Sequence, residues 1–543
     1  MRSALIVGSG PAAAGAALAL SREDGIKITV LDIGVRLESD KQVLVDDLAV
    51  ASPQSWAPGA IEAISAQPVV PTFEIHPQKS TDALPEKRTY GSDYPFRDVG
   101  QLTGVTAHDR ANRAVISGAY GGFSNVWGAQ IMPFTSASFD TWPVSWPQME
   151  PHYRHVLSHI PFAAEGDDLA DLFPLVTDAT PLPALAPRSA MVLDAYARHR
   201  DRIRRLGITV GRARLAFDSH RCVRCGMCMT GCPYSLIYSA SQTFDDLRRQ
   251  GRVDYHDGVV AFRVGEDADG PFVLVRSRTR REQRRFRADR VFIACGAVGT
   301  TRLVLGSMDR PPETVTLAES AQFVLPIVSL RPTPDPRDQS EFTLNQFNMI
   351  VSLDDRGLDV AQVHFYPYNP AYLEALPAIL ATLPAQPVTA QLLRRLTVGL
   401  GYLPSWASPR VRLTVTQSTT GTDLPDLVVS QDDWPRPPML GEVLRRIWRA
   451  ASRLDLWPVT PRLIVAGGAK SYHFGGSFPH RRVGARPGPA PTTDRLGRLP
   501  EWERVHLVDA SVFPSVPATT FTLTIMANAH RIAEESMELA DDR

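Results

Sequence analysis

The N-terminal stretch ALIVGSGPAAAGAALAL, which starts at Ala4, constrains the fold of this 543-residue chain more than any other segment. Its apolar start, residues 4–7, is typical of a buried strand in a parallel sheet. A glycine-rich turn and a helix of small residues follow, and a second apolar strand, KITVLD, ends at Asp32. Strand, turn, helix and strand in this order predict the first βαβ unit of a dinucleotide-binding sheet.

Each small residue of the turn has its own role in such a unit. Gly8 permits the tight turn, and Gly10 lets the backbone approach a pyrophosphate. Ala13 and Gly15 allow the helix to pack closely on the sheet. Asp32 is placed to accept hydrogen bonds from a ribose, while the helix N-terminus offers free N–H groups to the phosphates. These residues predict a dinucleotide cofactor, and on their own they fit NAD as well as FAD.

Length and charge narrow the class of protein. A chain of this length exceeds what one hydrophobic core usually supports, so we expect two domains or one elaborated domain. With 58 basic and 58 acidic side chains, the formal net charge is zero, which argues against a nucleic-acid partner. No run reaches the roughly 18 uncharged apolar residues of a membrane-spanning helix. An apolar strand begins almost at the N-terminus without a basic-then-apolar leader, which favours a cytoplasmic location.

Four further segments, in order along the chain, complete a recognisable pattern. They are GAYGGFSNVWGA (118–129), SWPQMEPHY (145–153), RVFIACGAVGTTRLVL (290–305) and VDASVFPSVP (508–517). Together with the N-terminal motif they resemble the glucose–methanol–choline (GMC) family of flavin oxidoreductases. The resemblance covers most of the chain except roughly 310–465, where a variable substrate domain is expected. It implies that the dinucleotide is FAD.

The resemblance also implies which residues contact the flavin. The segment over the flavin contributes Gly122, Ser124, Asn125 and Trp127. Asp509 matches the family residue that contacts the flavin side chain, although an Asp before Ser also commonly caps a turn or helix. Relatives with covalent flavin use a histidine before the tryptophan, and Val126 stands there instead. We therefore expect the FAD to be bound non-covalently.

The family's catalytic pair is only half present. Its histidine matches His473 in SYHFGGSFPH, and the position of its second member is occupied by Thr520. A threonine can hold a substrate hydroxyl and contact the flavin, but it cannot act as a base near neutral pH. This pattern favours a single-base mechanism with His473 as the base. His480 and His530 are alternative bases, although a packed helix histidine is the simpler interpretation of His530.

The most unusual feature is a run of four cysteines within eleven residues. In RCVRCGMCMTGCPYS the residues Cys222, Cys225, Cys228 and Cys232 follow the spacing C-x2-C-x2-C-x3-C-P. This spacing matches the ligand run of bacterial ferredoxins, in which the cysteines hold an iron–sulfur cluster. With only one such run, the last cysteine must close the same 4Fe-4S cluster, or a 3Fe-4S cluster keeps three thiolates.

Two other interpretations of the cysteines stay open. Four thiolates can bind zinc, although structural zinc usually takes two CxxC pairs separated by a dozen or more residues. Alternatively, the run is a packed loop of free thiols, since members of the family often carry a similar loop. Cys295, in the apolar strand VFIACGA, is expected to be a core thiol near the adenosine.

These observations predict an α/β protein in which a discontinuous, Rossmann-like FAD-binding domain carries an inserted α+β substrate domain built on a sheet. The FAD-binding domain comprises 1–135, 205–310 and 465–543, including the cysteine loop 222–232, and the substrate domain comprises 136–204 and 311–464. The expected activity is hydride transfer to the flavin from an alcohol, with a weak preference for a sugar-like one, and electrons are then passed through the cluster to an external protein or quinone. The alternatives are an oxygen-dependent oxidase with an inert cysteine loop and a non-catalytic flavin module.

Overall fold

The computed structural model describes residues 2–65, 88–97, 104–107, 114–279, 282–338, 341–354, 359–368, 386–418, 423–432, 438–481 and 491–541. The helices are α1 (Pro11–Leu20), α2 (Ser39–Ala49), α3 (Ala60–Ser65), α4 (Trp146–His159), α5 (Pro187–Arg204), α6 (Ala240–Arg249), α7 (Ala297–Ser307), α8 (Gln386–Leu393), α9 (Pro438–Leu454) and α10 (Thr522–Asp541).

The strands are grouped in four sheets. They are β1 (Arg2–Val7), β2 (Ile26–Leu31), β3 (Val105–Ala107), β4 (Ile208–Arg212), β5 (Val253–His256), β6 (Val259–Asp267), β7 (Gly270–Ser277), β8 (Gln283–Arg287), β9 (Arg290–Ile293), β10 (Thr314–Glu319), β11 (Gln322–Val328), β12 (Phe347–Ser352), β13 (Val360–Tyr366), β14 (Leu396–Tyr402), β15 (Val411–Thr416), β16 (Asp426–Gln431), β17 (Trp457–Pro458), β18 (Ile464–Val465), β19 (Phe474–Gly475) and β20 (Val505–Leu507).

A parallel sheet of five strands, in the order β20-β9-β1-β2-β5, contains the N-terminal motif. Its central strand β1 has four consecutive buried apolar residues because helices and sheets cover both of its faces. The first and last helices of the chain, α1 and α10, pack against each other beside this sheet. Both ends of the chain therefore build one core.

A larger antiparallel sheet of seven strands holds the chain's second core. Its order is β17-β11-β14-β13-β12-β4, with β18 also paired to β11. Buried apolar residues of α5 and α9 pack with those of this sheet, and they form the second of the main hydrophobic clusters. The observed mixed α/β architecture, with one parallel sheet and one large antiparallel sheet, agrees with the predicted fold class.

Two smaller sheets connect these layers. One has the order β19-β10-β15-β16-β3, and the other is the antiparallel meander β6-β7-β8. Strands β10, β15 and β16 share a hydrophobic core with the parallel sheet, while β4 joins the large antiparallel sheet. In the described part of the chain, none of the helices combines the length and apolar character needed to cross a membrane.

Two glycines within helices differ in the space available for a Cβ atom. A Cβ at Gly15 would collide with the backbone carbonyl of Met526 on α10, whereas a Cβ at Gly441 on α9 would meet nothing within 4 Å. We expect Gly15→Ala to destabilise the protein by about 1–3 kcal/mol, as overpacking does. Gly441→Ala should stabilise it by about 0.5–1 kcal/mol because alanine favours the helix. Calorimetric unfolding midpoints check this, and equal effects of the two changes would contradict the close packing of α1 on α10.

Candidate active site

The turn after β1 leaves an open space at the N-terminus of α1. Gly8 has a φ of +107°, and a Cβ there would lie 2.5 Å from the carbonyl oxygen of Ala294. Gly10 is the N-cap of α1, and a Cβ on it would meet no protein atom within 4 Å. Free helix N–H groups therefore border a space into which a phosphate group fits. Ala13 and Gly15 lie on α1 in the buried core, as expected for a helix close to the sheet.

Asp32 is fixed at the end of β2 by two hydroxyl groups. Its Oδ2 accepts hydrogen bonds from Ser9 Oγ at 2.5 Å and from Tyr255 Oη at 2.7 Å. Burial raises the pKa of Asp32 to about 6. The backbone N–H of Gly121 donates to the same Ser9 hydroxyl at 3.0 Å, which ties the glycine-rich segment to the turn. Asp32 thus lies between the turn and that segment.

The glycine-rich segment folds over the turn as a short 3₁₀ helix, Gly122–Asn125. Gly122 has a φ of +60°, and a Cβ on it would lie 3.2 Å from the Cα of Gly10. Its neighbours use their polar atoms within the protein to brace the segment. Ser124 Oγ accepts from the N–H of Ala240 at 2.9 Å, Asn125 Oδ1 accepts from Ser239 Oγ at 3.1 Å, and Trp127 Nε1 donates to the carbonyl of Tyr238 at 2.8 Å.

Asp509 is buried where the C-terminal segment meets α7. Its carboxylate accepts from the N–H of Ser511 at 2.9 Å and from the hydroxyl of Thr300. It therefore caps the short helix Ala510–Val512, as the alternative interpretation from the sequence proposed, and it also faces the first turn of α7. Burial raises the pKa of this carboxyl above its usual range.

His473 lies just before β19 and is held between two aromatic rings. Its imidazole stacks on Tyr402 at a centroid distance of 4.5 Å and meets the edge of Phe521 at 5.0 Å. Its Nδ1 is buried and has no hydrogen-bond partner within the protein. Burial lowers the pKa of His473 to about 3, so the imidazole is neutral near pH 7.

Thr520 directly precedes Phe521, whose ring contacts His473. Thr520 is buried, and its hydroxyl has no partner within the protein, which is also true of the neighbouring Thr519. A buried hydroxyl without a partner costs roughly 1–3 kcal/mol, so a cluster of such groups indicates a site for a polar ligand.

A second imidazole, which was not singled out from the sequence, lies near the ring of Tyr402. His364 on β13 is buried, its ring lies 5.2 Å from that of Tyr402, and its Nε2 has no partner within the protein. Gln362, which lies opposite Tyr402 on the neighbouring strand, has an unpartnered Oε1. The aromatic stretch VHFYPYNPAY was the available signal, because strand alternation places residues 362 and 364 on one face. Residues 369–372 of that stretch lie outside the described residues.

A buried carboxylate was also missed, and it shapes the loop that carries His473. Glu319 at the end of β10 accepts from the N–H of Ala469 at 2.9 Å and from the hydroxyl of Ser471 at 2.8 Å. The same Ser471 oxygen accepts from the N–H of His473 at 3.0 Å, and the carbonyl of His473 accepts from the N–H of Ser320 at 2.8 Å. Burial raises the pKa of Glu319 to about 7.

The two alternative bases have other partners. His480 has its Nδ1 2.6 Å from the carbonyl of Asp494 and its Nε2 3.3 Å from the amide nitrogen of Asn528. His530 lies on α10, where its ring faces His152 and His155 of α4. Its described contacts are thus those of a packed helix histidine.

All four cysteines of the run are free thiols in a tight loop. Three residues of the loop adopt positive φ, namely Arg224, Gly226 and Gly231, and a Cβ on Gly231 would lie 2.5 Å from the ring of Tyr90. Burial raises the pKa of Cys222 to about 11 and that of Cys225 to about 12. Thiolates at these positions therefore need a bound cation, since the metal-free loop favours the neutral thiols.

The spacing of the thiols fits a cluster better than a single ion. No three of the cysteine sulfurs in this described loop lie within 4.8 Å of one another. A zinc ion with bonds of about 2.3 Å would bring its thiolates to about 3.8 Å apart, whereas the ligands of a cluster bind separate irons. The thiols of Cys228 and Cys232 contribute, after burial, to the raised pKa of both Cys222 and Cys225, so the group converges on one region.

The cysteine loop is a neighbour of the glycine-rich segment. Trp127 packs against the same apolar cluster as Cys222 and Cys232. Thr89 donates its hydroxyl hydrogen to the carbonyl of Asn125 at 2.7 Å, and the next residue, Tyr90, donates its N–H to the carbonyl of Thr230 at 2.8 Å. Two separate contacts thus join the loop to the segment expected over the flavin.

Comparisons with known proteins agree with these observations. A family model described as a 4Fe-4S binding domain matches residues 215–237, which include all four cysteines. No curated protein matches the chain. Among solved structures, pyridoxine 4-oxidase from Mesorbium loti shares 15% identity with a TM-score of 0.59, and 99% of each chain is covered.

Two other solved structures have a similar overlap. A variant of formate oxidase from Aspergillus oryzae RIB40 shares 12% identity with a TM-score of 0.61, covering 100% of this chain and 99% of that chain. An FAD-dependent oxidoreductase from Chaetomium thermophilum shares 12% identity with a TM-score of 0.58, covering 100% of both chains. The chain therefore has the fold of these oxidoreductases, and its resemblance to the GMC family is confirmed at the level of the fold.

Proposed function

We propose that this protein is an FAD-dependent oxidoreductase that converts an alcohol to a carbonyl compound, with His473 as the base. The observation that carries the proposal is the arrangement at His473. A neutral imidazole with an unpartnered Nδ1 is held by Tyr402 and Phe521, and the residue before Phe521, Thr520, has a buried hydroxyl without a partner within the protein. These are the groups that a hydroxyl-bearing substrate needs to be held and deprotonated.

The residues that would hold FAD fit its chemistry from end to end. The space at Gly10 and the N-terminus of α1 suit the pyrophosphate, and Asp32 suits the ribose. Asp509 lies beside the segment that leads to Thr520 and suits the flavin side chain. Position 126 is a valine and not a histidine, so it offers no side chain for a covalent link to the flavin. The FAD is therefore held non-covalently.

The reaction balances with one base and one cofactor. When bound, FAD supplies a two-electron acceptor for the hydride from the carbinol carbon. His473 accepts the hydroxyl proton, the C–O single bond becomes a carbonyl, and Thr520 orients the hydroxyl by hydrogen bonding. General-base assistance of this kind contributes about 10²–10⁴-fold in rate. An external acceptor, a protein or a quinone, would be needed to take up the two electrons.

The face of the large sheet next to His473 favours a substrate with several polar groups. His364 Nε2 and Gln362 Oε1 are buried without partners, and both lie on the strand next to Tyr402. A substrate with one hydroxyl on an apolar chain would leave these groups unsatisfied, at a cost of about 1–3 kcal/mol each. A sugar-like alcohol could satisfy them. The sequence alone supported only a weak preference for a sugar-like alcohol.

The cysteine loop is proposed to hold an iron–sulfur cluster through Cys222, Cys225, Cys228 and Cys232. The family-model match and the wide spacing of the sulfurs support this choice over zinc. A cluster bound there would supply a carrier of single electrons next to the flavin. The contacts through Trp127 and Thr89 support that proximity.

A second candidate is an alcohol oxidase that uses oxygen as the acceptor and keeps the cysteine loop inert. The names of two similar structures, pyridoxine 4-oxidase and formate oxidase, favour it. Anaerobic mixing with a panel of alcohols, followed by addition of oxygen or of a one-electron acceptor, separates the two. Absence of flavin bleaching with every alcohol would instead favour a non-catalytic flavin module.

The first prediction concerns the cofactor. Gly10→Val adds a side chain to the space at the N-terminus of α1, where a Cβ meets no protein atom within 4 Å, and Asp32→Ala removes the ribose acceptor. Each change should reduce bound FAD to below a tenth of the parent's content after gel filtration, while circular dichroism stays close to that of the FAD-free parent. Acid precipitation of the parent should release free FAD. Stoichiometric FAD in both variants, or flavin left in the acid pellet, would contradict the assignment.

The second prediction concerns the base. His473→Asn should keep FAD but slow anaerobic reduction of the flavin by substrate at least 100-fold, because the proton acceptor is lost. Stopped-flow absorbance of the flavin measures this rate. His199→Asn, on α5, is the matched control and should react like the parent. If His473→Asn reacts within tenfold of the parent, another residue is the base.

The third prediction concerns the cysteines. In Cys225→Ser the iron content should fall from about four atoms per chain to none. The variant should still bind FAD, and alcohol should still reduce its flavin. Transfer of electrons to a one-electron acceptor should fall strongly. Cys295→Ser, which changes a thiol outside the run, is the control and should retain the iron. A parent purified anaerobically with ample iron and sulfide that contains only flavin would rule out the cluster.

A further inference from the structure

Two packed helices bring together a group of imidazoles far from the proposed alcohol site. Helix α4 contributes His152 and His155, which are three residues apart, and helix α10 contributes His530 and Glu534, which are four apart. Residues at these spacings share one face of a helix. The two faces meet because the hydroxyls of Tyr153 and Thr524 hydrogen-bond between the helices at 2.8 Å.

The distances within this group resemble those of a metal site. His152 Nδ1 lies 3.0 Å from His530 Nδ1 and 3.5 Å from Glu534 Oε2. The three atoms all lie within 4.8 Å of one another. Bonds of about 2.0–2.1 Å to a tetrahedral zinc ion place its ligand atoms about 3.4 Å apart. The group is therefore close to ligand geometry without rearrangement of the helices.

Burial leaves part of this group without partners inside the protein. His530 is 1% exposed and His152 is 9% exposed. The Nε2 atoms of His530 and His155 are buried and unpartnered, and the two rings lie 4.4 Å apart. Burial lowers the pKa of His530 to about 2 and that of His152 to about 4. Neutral imidazoles are the form in which histidine binds metals.

We propose that His152, His530 and Glu534 bind a divalent transition metal ion, with zinc as the best fit. Two imidazoles and one carboxylate form a set that zinc takes in proteins, with a fourth position left for water or a further ligand. The site is separate from the cysteine loop in both location and chemistry, since thiolates favour softer metals and clusters.

Each of the two arginines near the site is paired with a glutamate. Arg22, at the end of α1, binds Glu534 through Oε1, which leaves Oε2 directed at His152. Such an outer contact orients a carboxylate ligand. Arg531 on the same helix is paired with Glu535 at 3.1 Å, so its charge is balanced.

A metal at this position would fix α10 against α4. His530 lies about 12 Å along α10 from its first residue, Thr522, at a rise of about 1.5 Å per residue. The ion would thereby stabilise the C-terminal helix in its packed position between α4 and α1. This role does not depend on the redox function, so its test is independent of flavin chemistry.

Zinc binding and thermal stability test the proposal on the full chain. The protein is incubated with Zn²⁺, desalted, and its zinc measured by mass spectrometry, in parallel with calorimetric unfolding. We expect His530→Gln and Glu534→Gln to bind one zinc fewer per chain than the parent. The parent's unfolding midpoint should rise with added Zn²⁺, because the ion binds only the folded form, and both variants should lose that rise.

A control variant separates this site from zinc bound at the surface. His256→Gln removes a surface histidine whose Nε2 lies 3.1 Å from Asp254, and it should bind zinc like the parent. Glu534 is partly exposed, so Glu534→Gln should fold even if His530→Gln does not. Equal zinc content in the parent and Glu534→Gln, or no rise of the parent's midpoint with Zn²⁺, would overturn the proposal and leave a hydrogen-bonded histidine pair.

Discussion

The close approach of α1 and α10 is the constraint on which the rest of the site depends. At Gly15 there is room only for a hydrogen, because the backbone of Met526 occupies the space of a Cβ. This contact joins the first helix of the chain to the last. It thereby brings residues 15 and 526 together, although they are about five hundred residues apart in sequence.

The polar atoms of the predicted site residues fall into two groups, those with hydrogen-bond partners within the protein and those without. Ser124, Asn125 and Trp127 satisfy their hydrogen bonds within the protein, so they shape the segment over the cofactor. His473 and Thr520 instead leave buried polar atoms unsatisfied. Each such atom costs roughly 1–3 kcal/mol, which a bound polar ligand would recover. Residues with satisfied polar atoms therefore support the site, and residues with unsatisfied ones are candidates for contact with a ligand.

The cysteine loop and the histidine group illustrate how donor chemistry selects a metal. Raised thiol pKa values at Cys222 and Cys225 mean that the loop needs positive charge to hold thiolates. The imidazoles of His152 and His530 are neutral at pH 7 and need no deprotonation. Soft sulfur donors suit an iron–sulfur cluster, and imidazole with carboxylate suits zinc. One chain can therefore hold both without competition between the two sites.

Local motifs could be predicted from the sequence because their geometry is set by neighbouring residues. The turn at Gly8 and Gly10 and the four-cysteine spacing each lie within a few residues, so their shape follows from glycine's freedom at positive φ and from ligand spacing. The role of His473 was predicted from the resemblance to a family. The residues around it could not be predicted, since the pairing of β13 with β14 brings His364 beside Tyr402, and Tyr402 stacks on His473.

Contacts between distant segments were decided by the tertiary structure alone. His530 read as an ordinary helix histidine, and only the packing of α10 on α4 shows that it faces His152. Glu319 gave no sequence signal, because a lone acidic residue at a strand end is usually solvated. The sequence thus determined the local turns, the cysteine spacing and the type of cofactor site. Tertiary packing decided which buried groups meet, because burial and the loss of hydrogen-bond partners are properties of the assembled core and not of any one segment.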